Sequence, residues 1–151
     1  MSFLLCLKKM ELGALACATN FGILLFNRGF VGAEALAAPN PNMFSPFGQG
    51  IVLVWGVAFA AAGVSDAGPA VWAAFALEKL CYVVGWGLWF QLYRTPAIAA
   101  VASAWSANDY SKLLPASFHV IYGPVDFTFM CLFLHQAFSS KRSPTQRSKK
   151  E

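Results

Sequence analysis

The sequence is built around AVWAAFALEKLCYVVGWGLWFQLY, residues 70–93. A helix that crosses a bilayer needs about 20 consecutive, mostly apolar residues, and this stretch is long enough to do so. Trp72 near one end and Trp89 near the other fit the aromatic belts that form at the two membrane interfaces. The middle of the stretch carries two adjacent charges, Glu78 and Lys79. It therefore predicts a transmembrane helix with ionisable side chains inside the membrane.

Three further apolar runs predict three more transmembrane helices. With the first stretch they give helices at about 10–26, 48–64, 70–93 and 118–138. The first run is interpreted as a retained helix, because Lys8 and Lys9 follow the first apolar residues instead of preceding them; a cleaved signal peptide is the alternative. We therefore predict an all-α fold, with a four-transmembrane-helix domain at 1–138, interfacial loop segments, and a disordered basic tail at 139–151.

The composition agrees with a multi-pass membrane protein in contact with a lipid bilayer. Of the 151 residues, 58% are hydrophobic and 12% are charged, and the mean hydropathy is +0.54. An average soluble domain carries roughly 25% charged residues. This excludes an ordinary soluble enzyme and a disordered tail protein. Nucleic acid is not a predicted partner, because the basic tail directly follows an apolar run, where membrane topology and anionic lipid explain it better.

Two connecting segments are predicted to lie at the membrane interface. Residues 27–49 contain three prolines but keep several large apolar side chains, so this segment lies along the interface or folds back over the bundle. Residues 94–117 contain only eleven consecutive apolar residues, AIAAVASAWSA, too few to cross the hydrocarbon as a helix. We predict a short interfacial helix there, with Trp105 at headgroup depth, followed by a turn before Pro115.

Small residues recur every four positions in the first two helices. Ala14, Ala18 and Gly22 share one face of the first helix, and Gly56 and Ala60 form a similar pair in the second. Small residues at this spacing let two helices approach closely in lipid. We predict that these faces pack against neighbouring helices.

Three charged residues are predicted to lie deep in the membrane: Glu78, Lys79 and Asp126. Each costs about 2.5–3.5 kcal/mol to insert. Counting along the helices puts Glu78 and Asp126 roughly 6 Å apart along the membrane normal, within reach of a lysine side chain. We predict an intramembrane polar cluster of Lys79 with one or both acids, and with Tyr82 as a further hydrogen-bonding candidate. Two interpretations stay open: a neutralised pair that fixes packing, or a proton relay or the polar floor of a binding cavity.

Four other polar residues are secondary candidates. Asn20 and Gln49 are candidates for interhelical hydrogen bonds. His119 and His135 lie sixteen residues apart, or roughly 24 Å along one helix, so they cannot share a metal ion or a haem. Both histidines are predicted to be interfacial.

The sequence supplies no motif for catalysis. The four cysteines have no metal-binding spacing, and the glycine pairs do not extend to a nucleotide-binding fingerprint. We therefore predict no catalytic residue and no metal site, and the cofactor is unknown. These features favour a protein that is not an enzyme.

Three stretches carry a family resemblance: LLFNRGF at 24–30, FGQGIVLVWGVAF at 47–59 and FALEKL at 75–80, with a proline-rich segment after the first. On these stretches the chain, from about Asn20 to Trp89, is similar to the DoxX-like group of small four-helix membrane proteins. Some members of that group resemble membrane subunits of quinone-linked oxidoreductases. The resemblance implies a four-helix bundle but transfers no catalytic residue. The long connection before the fourth helix and the basic tail depart from the compact bundle of the family.

These observations favour an accessory or small-ligand-binding membrane protein without its own catalytic centre. One alternative is a membrane subunit of a redox or quinone-linked oxidoreductase, and another is a small proton-coupled carrier. The partners that these functions imply are a larger membrane complex, a second copy of the chain, or a small apolar ligand.

The distribution of basic residues predicts that both termini are cytoplasmic. Seven basic residues precede the first helix or follow the fourth, and three lie in the loops at the opposite end, Arg28, Arg94 and Lys112. Short loops rich in Lys and Arg stay on the cytoplasmic side. A reporter fused to the C-terminus should be accessible from the cytoplasm, and accessibility only from the opposite side would contradict the prediction.

Overall fold

The computed structural model describes residues 8–27, 29–30 and 33–140, and these residues form helices and turns without a β-strand. The predicted all-α class is confirmed. Four helices are long and apolar enough to span a membrane, and two short helices lie in the connection between the first two of them. The predicted disordered tail was placed at 139–151; its first two residues, Ser139 and Ser140, belong to the last helix, and residues 141–151 lie outside the described residues. The helices are α1 (Lys9–Phe26), α2 (Ala33–Ala37), α3 (Pro41–Phe44), α4 (Pro46–Val64), α5 (Pro69–Ser106) and α6 (Tyr110–Ser140).

The boundaries of α4 and α5 follow from local chemistry. At the start of α4 the Ser45 hydroxyl accepts a hydrogen bond from the backbone N–H of Gly48 at 3.2 Å, and Pro46 occupies the first turn. The turn into α5 contains Asp66 with a positive φ of 52°, and Pro69 then opens α5. The Lys9 ammonium at the start of α1 contacts the Asp66 carboxylate at 2.6 Å, which holds these two ends of the bundle together.

Two apolar clusters form opposite ends of the bundle core. One joins the start of α1, the end of α4, the start of α5 and the end of α6, through residues such as Leu12, Phe59, Trp72 and Phe133. The other joins the end of α1, the start of α4 and the middle of α6 with α2 and α3. The start of α1 and the end of α6 therefore lie at the same end of the bundle, as an even number of spans requires.

The contact between α1 and α4 uses a different face of α1 from the one predicted. Ala14 and Ala18 are exposed, whereas Gly13, Ala16 and Asn20 are buried. A Cβ on Gly13 would lie 2.5 Å from the carbonyl oxygen of Phe59, so the two backbones touch there. The predicted face was wrong because small side chains are tolerated facing lipid as well as facing a neighbouring helix. On α4 the prediction holds for Gly56, which is buried against Asn20 and Phe21.

The predicted interfacial helix after residue 93 was also wrong. α5 continues through Pro96 for 38 residues, about 57 Å, and only Ala107–Asp109 separate it from α6. The alanine-rich run after Pro96 has high helix propensity, and a membrane helix tolerates the proline when its surroundings satisfy the freed carbonyl. Likewise α6 begins at Tyr110, eight residues earlier than predicted, and continues through Pro115 and Pro124.

Asp109 explains why α6 begins where it does. Its carboxylate accepts hydrogen bonds from the Ser111 hydroxyl at 2.6 Å and from the backbone N–H of Lys112 at 3.4 Å, as an N-cap residue does. The hydrogen bonds from Ser111 and Lys112 lower the pKa of Asp109. Asn108 turns the chain with a positive φ of 53°. α5 and α6 therefore form one long antiparallel hairpin.

The segment that contains α2 and α3 folds back into the bundle. The indole N–H of Trp89 donates to the carbonyl oxygen of Pro39 at 2.7 Å, and Nε2 of His119 lies 2.8 Å from the carbonyl oxygen of Leu36. The Asn40 amide donates to the Tyr122 hydroxyl at 3.3 Å. Side chains of α5 and α6 thus supply hydrogen-bonding partners for a segment whose prolines prevent a longer helix.

We expect Gly13→Ala to destabilise the bundle by about 1–3 kcal/mol, the usual cost of overpacking. The added methyl group would meet the α4 backbone, which cannot move aside as a flexible side chain can. Gly22→Ala is the matched control in the same helix, since a Cβ there finds its nearest atom at 3.8 Å. Thermal unfolding in detergent should show a lower midpoint for Gly13→Ala only. Equal midpoints for both variants would contradict the close approach of α1 and α4.

Candidate functional site

The structure brings together, between α5 and α6, the three charged residues that are predicted to lie in the membrane. Nζ of Lys79 lies 2.8 Å from Oδ1 of Asp126 and 3.8 Å from Oε2 of Glu78. The first distance is that of a charge-assisted hydrogen bond, and the second is too long for one. Lys79 is therefore bound to Asp126 across the helix interface, while Glu78 is a more distant neighbour on the same helix.

All three side chains are largely buried inside the protein. The exposed fractions are 5% for Lys79, 13% for Asp126 and 8% for Glu78. Aromatic faces cover the ammonium: Nζ lies 5.2 Å from the ring centroid of Phe59 and 5.5 Å from that of Tyr82. Both distances allow cation–π attraction. Tyr82, predicted as a hydrogen-bonding candidate, contacts Lys79 through its ring.

A small cavity adjoins the ion pair. Its volume is ≈ 20 Å³, and a site needs about 10–15 Å³ to hold one water molecule. Oε2 of Glu78 is buried and has no hydrogen-bond partner. The cavity therefore offers space for one water molecule beside a carboxyl group whose Oε2 has no hydrogen-bond partner. Its polar lining residues are Asn20, Glu78, Lys79, Tyr82, Tyr122 and Asp126.

This arrangement can bind and release a proton, because it combines two carboxyl groups, one ammonium and room for a water molecule. It does not resemble a metal centre: within the described residues no group of three His, Cys, Asp or Glu side chains is placed to hold an ion. A role in helix packing and a role in proton binding would both use the contacts described above. The Glu78 carboxyl group distinguishes the two roles, because packing does not require it.

Asn20 and Gln49 are both buried and hydrogen-bonded. The Asn20 amide of α1 donates to the carbonyl oxygen of Val52 in α4 at 2.9 Å. The Gln49 amide donates to the carbonyl oxygen of Phe44 at 2.9 Å, and its Oε1 accepts from the backbone N–H of Phe30 at 3.0 Å. Asn20 joins two long helices, whereas Gln49 holds the connecting segment against the start of α4.

His119 is buried, which corrects the interfacial position predicted for it. Only 1% of the residue is exposed, and Phe44, Phe118 and Trp89 surround its ring. The sequence did not reveal this burial because the partner of Nε2, the carbonyl oxygen of Leu36, lies 83 residues away. His135 differs: it is exposed, and its Nε2 lies 3.4 Å from the Ser139 hydroxyl.

The hydrogen bond of His119 fixes its tautomer. A carbonyl oxygen can only accept, so Nε2 must carry the hydrogen that is shared with Leu36. In the neutral ring Nδ1 is then an acceptor, and this atom is buried without a hydrogen-bond partner. A buried acceptor without a hydrogen bond costs free energy, so Nδ1 could accept a hydrogen bond from a donor on a bound molecule.

A second, larger cavity lies beside His119 between α5, α6 and the folded-back segment. Its volume is ≈ 200 Å³. Three alanines of α5 and α6 leave the space open, and Trp89 and Tyr93 supply aromatic walls. Tyr93 and Pro96 are also exposed at the surface of the bundle, so the cavity opens to one side. The lining residues are Pro39, Trp89, Tyr93, Pro96, Ala97, Ala100, Ala116 and His119. This cavity was not predicted, because its walls come from three separate segments.

The chain was compared with family models, with curated proteins and with solved structures, and none of the three comparisons gives a match. The site is therefore interpreted from its own geometry.

We expect Lys79→Met to destabilise the protein more than the double variant Lys79→Met with Asp126→Asn. Removal of one partner from a buried ion pair leaves an uncompensated charge and costs about 3–5 kcal/mol, a cost that proton uptake by the acid lowers. Asp126→Asn removes that charge, so it should recover part of the lost stability. Detergent melting temperatures of the wild type and both variants measure the effect.

Glu78→Gln combined with Lys79→Met is the matched control, because Oε2 of Glu78 lies 3.8 Å from Nζ, beyond hydrogen-bonding distance. This second double variant should recover less stability than the one with Asp126→Asn. The single variants Asp126→Asn and Glu78→Gln complete the five variants that are compared with the wild type. Strictly additive losses in both double variants would mean that Lys79 does not pair with either acid, and the cluster would have to be abandoned.

Proposed function

We propose that this chain is a membrane protein that binds a small, mainly apolar molecule in the cavity beside His119, without a catalytic centre of its own. The observation that supports the proposal is the ≈ 200 Å³ cavity lined in part by His119, a residue whose Nδ1 is buried and lacks a hydrogen-bond partner. Binding sites for small molecules are mostly apolar concavities with a few polar groups that orient the ligand.

The size of the cavity limits the ligand. An apolar cavity of about 150 Å³ binds benzene, so ≈ 200 Å³ suits one aromatic ring with small substituents. Trp89 and Tyr93 offer faces on which such a ring can stack. The exposed positions of Tyr93 and Pro96 give a lipophilic molecule access from the membrane side of the helices.

The chemistry of His119 adds a polar requirement. With Nε2 committed to the carbonyl oxygen of Leu36, the remaining nitrogen can only accept in the neutral ring. A ligand with a hydroxyl or N–H group would satisfy it. Phenols, quinols and ring amines combine such a donor with an apolar ring.

A membrane subunit of a quinone-linked oxidoreductase is a second candidate. A quinol ring has the size of the cavity and carries hydroxyl donors, and some members of the DoxX-like group, which the chain resembles, are similar to subunits of this kind. This candidate concerns quinol binding, and a partner protein in a larger membrane complex would carry out electron transfer.

A proton-coupled carrier is a third candidate. Such a carrier needs an exchangeable proton inside the bundle, and Glu78 is buried at a suitable position.

We expect phenol to bind the wild-type protein more tightly than toluene, which has nearly the same shape but no donor. One net hydrogen bond contributes about 0.5–1.5 kcal/mol, which is a factor of roughly 2 to 12 in affinity. Titration calorimetry in lipid nanodiscs, corrected for partitioning into empty nanodiscs, measures both ligands. Replacing the imidazole in His119→Phe should remove the preference.

Ala100→Phe should abolish binding of both ligands by filling the cavity, and Ala102→Phe, at an exposed position outside it, is the matched control. Failure of both ligands to bind the wild type, or equal binding by Ala100→Phe, would refute the ligand-binding function. Equal affinities for phenol and toluene would leave the cavity as a binding site and refute only the donor requirement.

A further inference from the structure

A second site, independent of the ligand cavity, lies at the ion pair. The described residues around the small cavity include two acids and one base, so three ionised side chains would leave one negative charge. Lys79 is bound to Asp126 at 2.8 Å, and these two neutralise each other. The unbalanced charge therefore falls on Glu78. A lone charge buried inside a membrane protein is expensive, and such a group must find a counter-charge or become neutral.

The groups that face Glu78 offer no second cation. α1 contributes Asn20 to the cavity, α4 contributes Val52, and α3 contributes Phe44. The titratable groups come from the remaining two helices: Lys79 and Tyr82 on α5, with Tyr122 and Asp126 on α6. Of these described lining residues only Lys79 can be positively charged, and its ammonium group is already paired with the carboxylate of Asp126.

A proton is the counter-charge that fits this space. The cavity of ≈ 20 Å³ has room for one water molecule. A buried water needs two to four polar partners, and the residues that line the cavity include Glu78, Tyr82 and Tyr122, whose carboxyl and hydroxyl groups are candidates. The Tyr122 hydroxyl accepts a hydrogen bond from Asn40 and keeps its own hydrogen to donate.

We infer that Glu78 is a proton-binding site in the membrane: it is a neutral carboxylic acid beside the Lys79–Asp126 ion pair, and its proton exchanges through one water molecule in the adjoining cavity. On release the O–H bond of Glu78 breaks, the proton moves to the water and onward to solvent, and the carboxylate keeps the electron pair. The ammonium of Lys79, 3.8 Å away, then attracts both carboxylates.

Infrared spectroscopy of the whole protein in lipid, near neutral pH, tests this inference. A protonated carboxyl group has a carbonyl stretching band that a carboxylate lacks, and the band shifts when deuterium replaces the proton. The wild type should show a band for one carboxylic acid per chain, and the band should shift in heavy water. Glu78→Gln should abolish it. Glu34→Gln, at an exposed acid, is the matched control and should leave it unchanged.

Two further variants test the charge count without replacing Glu78. Asp126→Asn frees Lys79 to pair with Glu78, so Glu78 should ionise and the band should disappear even though its carboxyl group is still present. Lys79→Met removes the base, so both acids should be protonated and the band should double. A structural change alone predicts neither result.

The inference would be overturned by a wild-type spectrum without the acid band, or by a band that survives Glu78→Gln. A band that does not shift in heavy water would overturn the exchange through water. Persistence of the single band in both Asp126→Asn and Lys79→Met would refute the charge balance. Because these spectra need no ligand, their outcome is separate from that of the phenol titration.

Discussion

The ion pair between Lys79 and Asp126 constrains the rest of the bundle. A charged side chain inside a membrane is costly, and at 2.8 Å the ammonium of Lys79 and the carboxylate of Asp126 compensate each other's charge. The two residues lie on α5 and α6, so a shift of either helix by one turn, about 5.4 Å, would separate them. The long α5–α6 hairpin is thereby held in one register, and α1 and α4 close over the pair through Asn20 and Phe59.

Stability alone is a weak explanation for such a pair. Replacing a buried ion pair by well-packed apolar residues is often neutral or stabilising, so its value lies more in specifying one arrangement of helices or in chemistry. The surrounding polar groups support specification: Asn20 and the Trp89 indole each bond a backbone carbonyl of another segment. Glu78 departs from this pattern, since a register needs no second acid. Its buried oxygen without a partner is the feature that packing does not explain.

The sequence predicted the parts of this structure that follow from length and depth. Four apolar runs correspond to four helices that are long and apolar enough to span a membrane. The predicted proximity of Lys79 and Asp126 agrees with their 2.8 Å contact, although the fourth helix begins eight residues before the position from which the depth of Asp126 was counted. The sequence failed where tertiary partners decide. The continuation of α5 through Pro96 requires surroundings that satisfy the freed carbonyl, and the burial of His119 depends on a carbonyl oxygen 83 residues away. Neither requirement leaves a periodic signal in the local sequence.

Two of the three buried side-chain polar atoms that lack a hydrogen-bond partner in the described part of the chain, Nδ1 of His119 and Oε2 of Glu78, belong to sites of different chemistry. Nδ1 of His119 is an acceptor beside an apolar space large enough for a ring, so it selects a molecule with a donor. Oε2 of Glu78 lies beside a space that fits only water, so it selects a proton. Nearly all buried polar atoms in proteins are hydrogen-bonded, so each exception calls for an explanation, and in the two proposals above a partner that fits the adjoining cavity supplies it. In these proposals the volume of the cavity, more than the type of residue, distinguishes the two ligands.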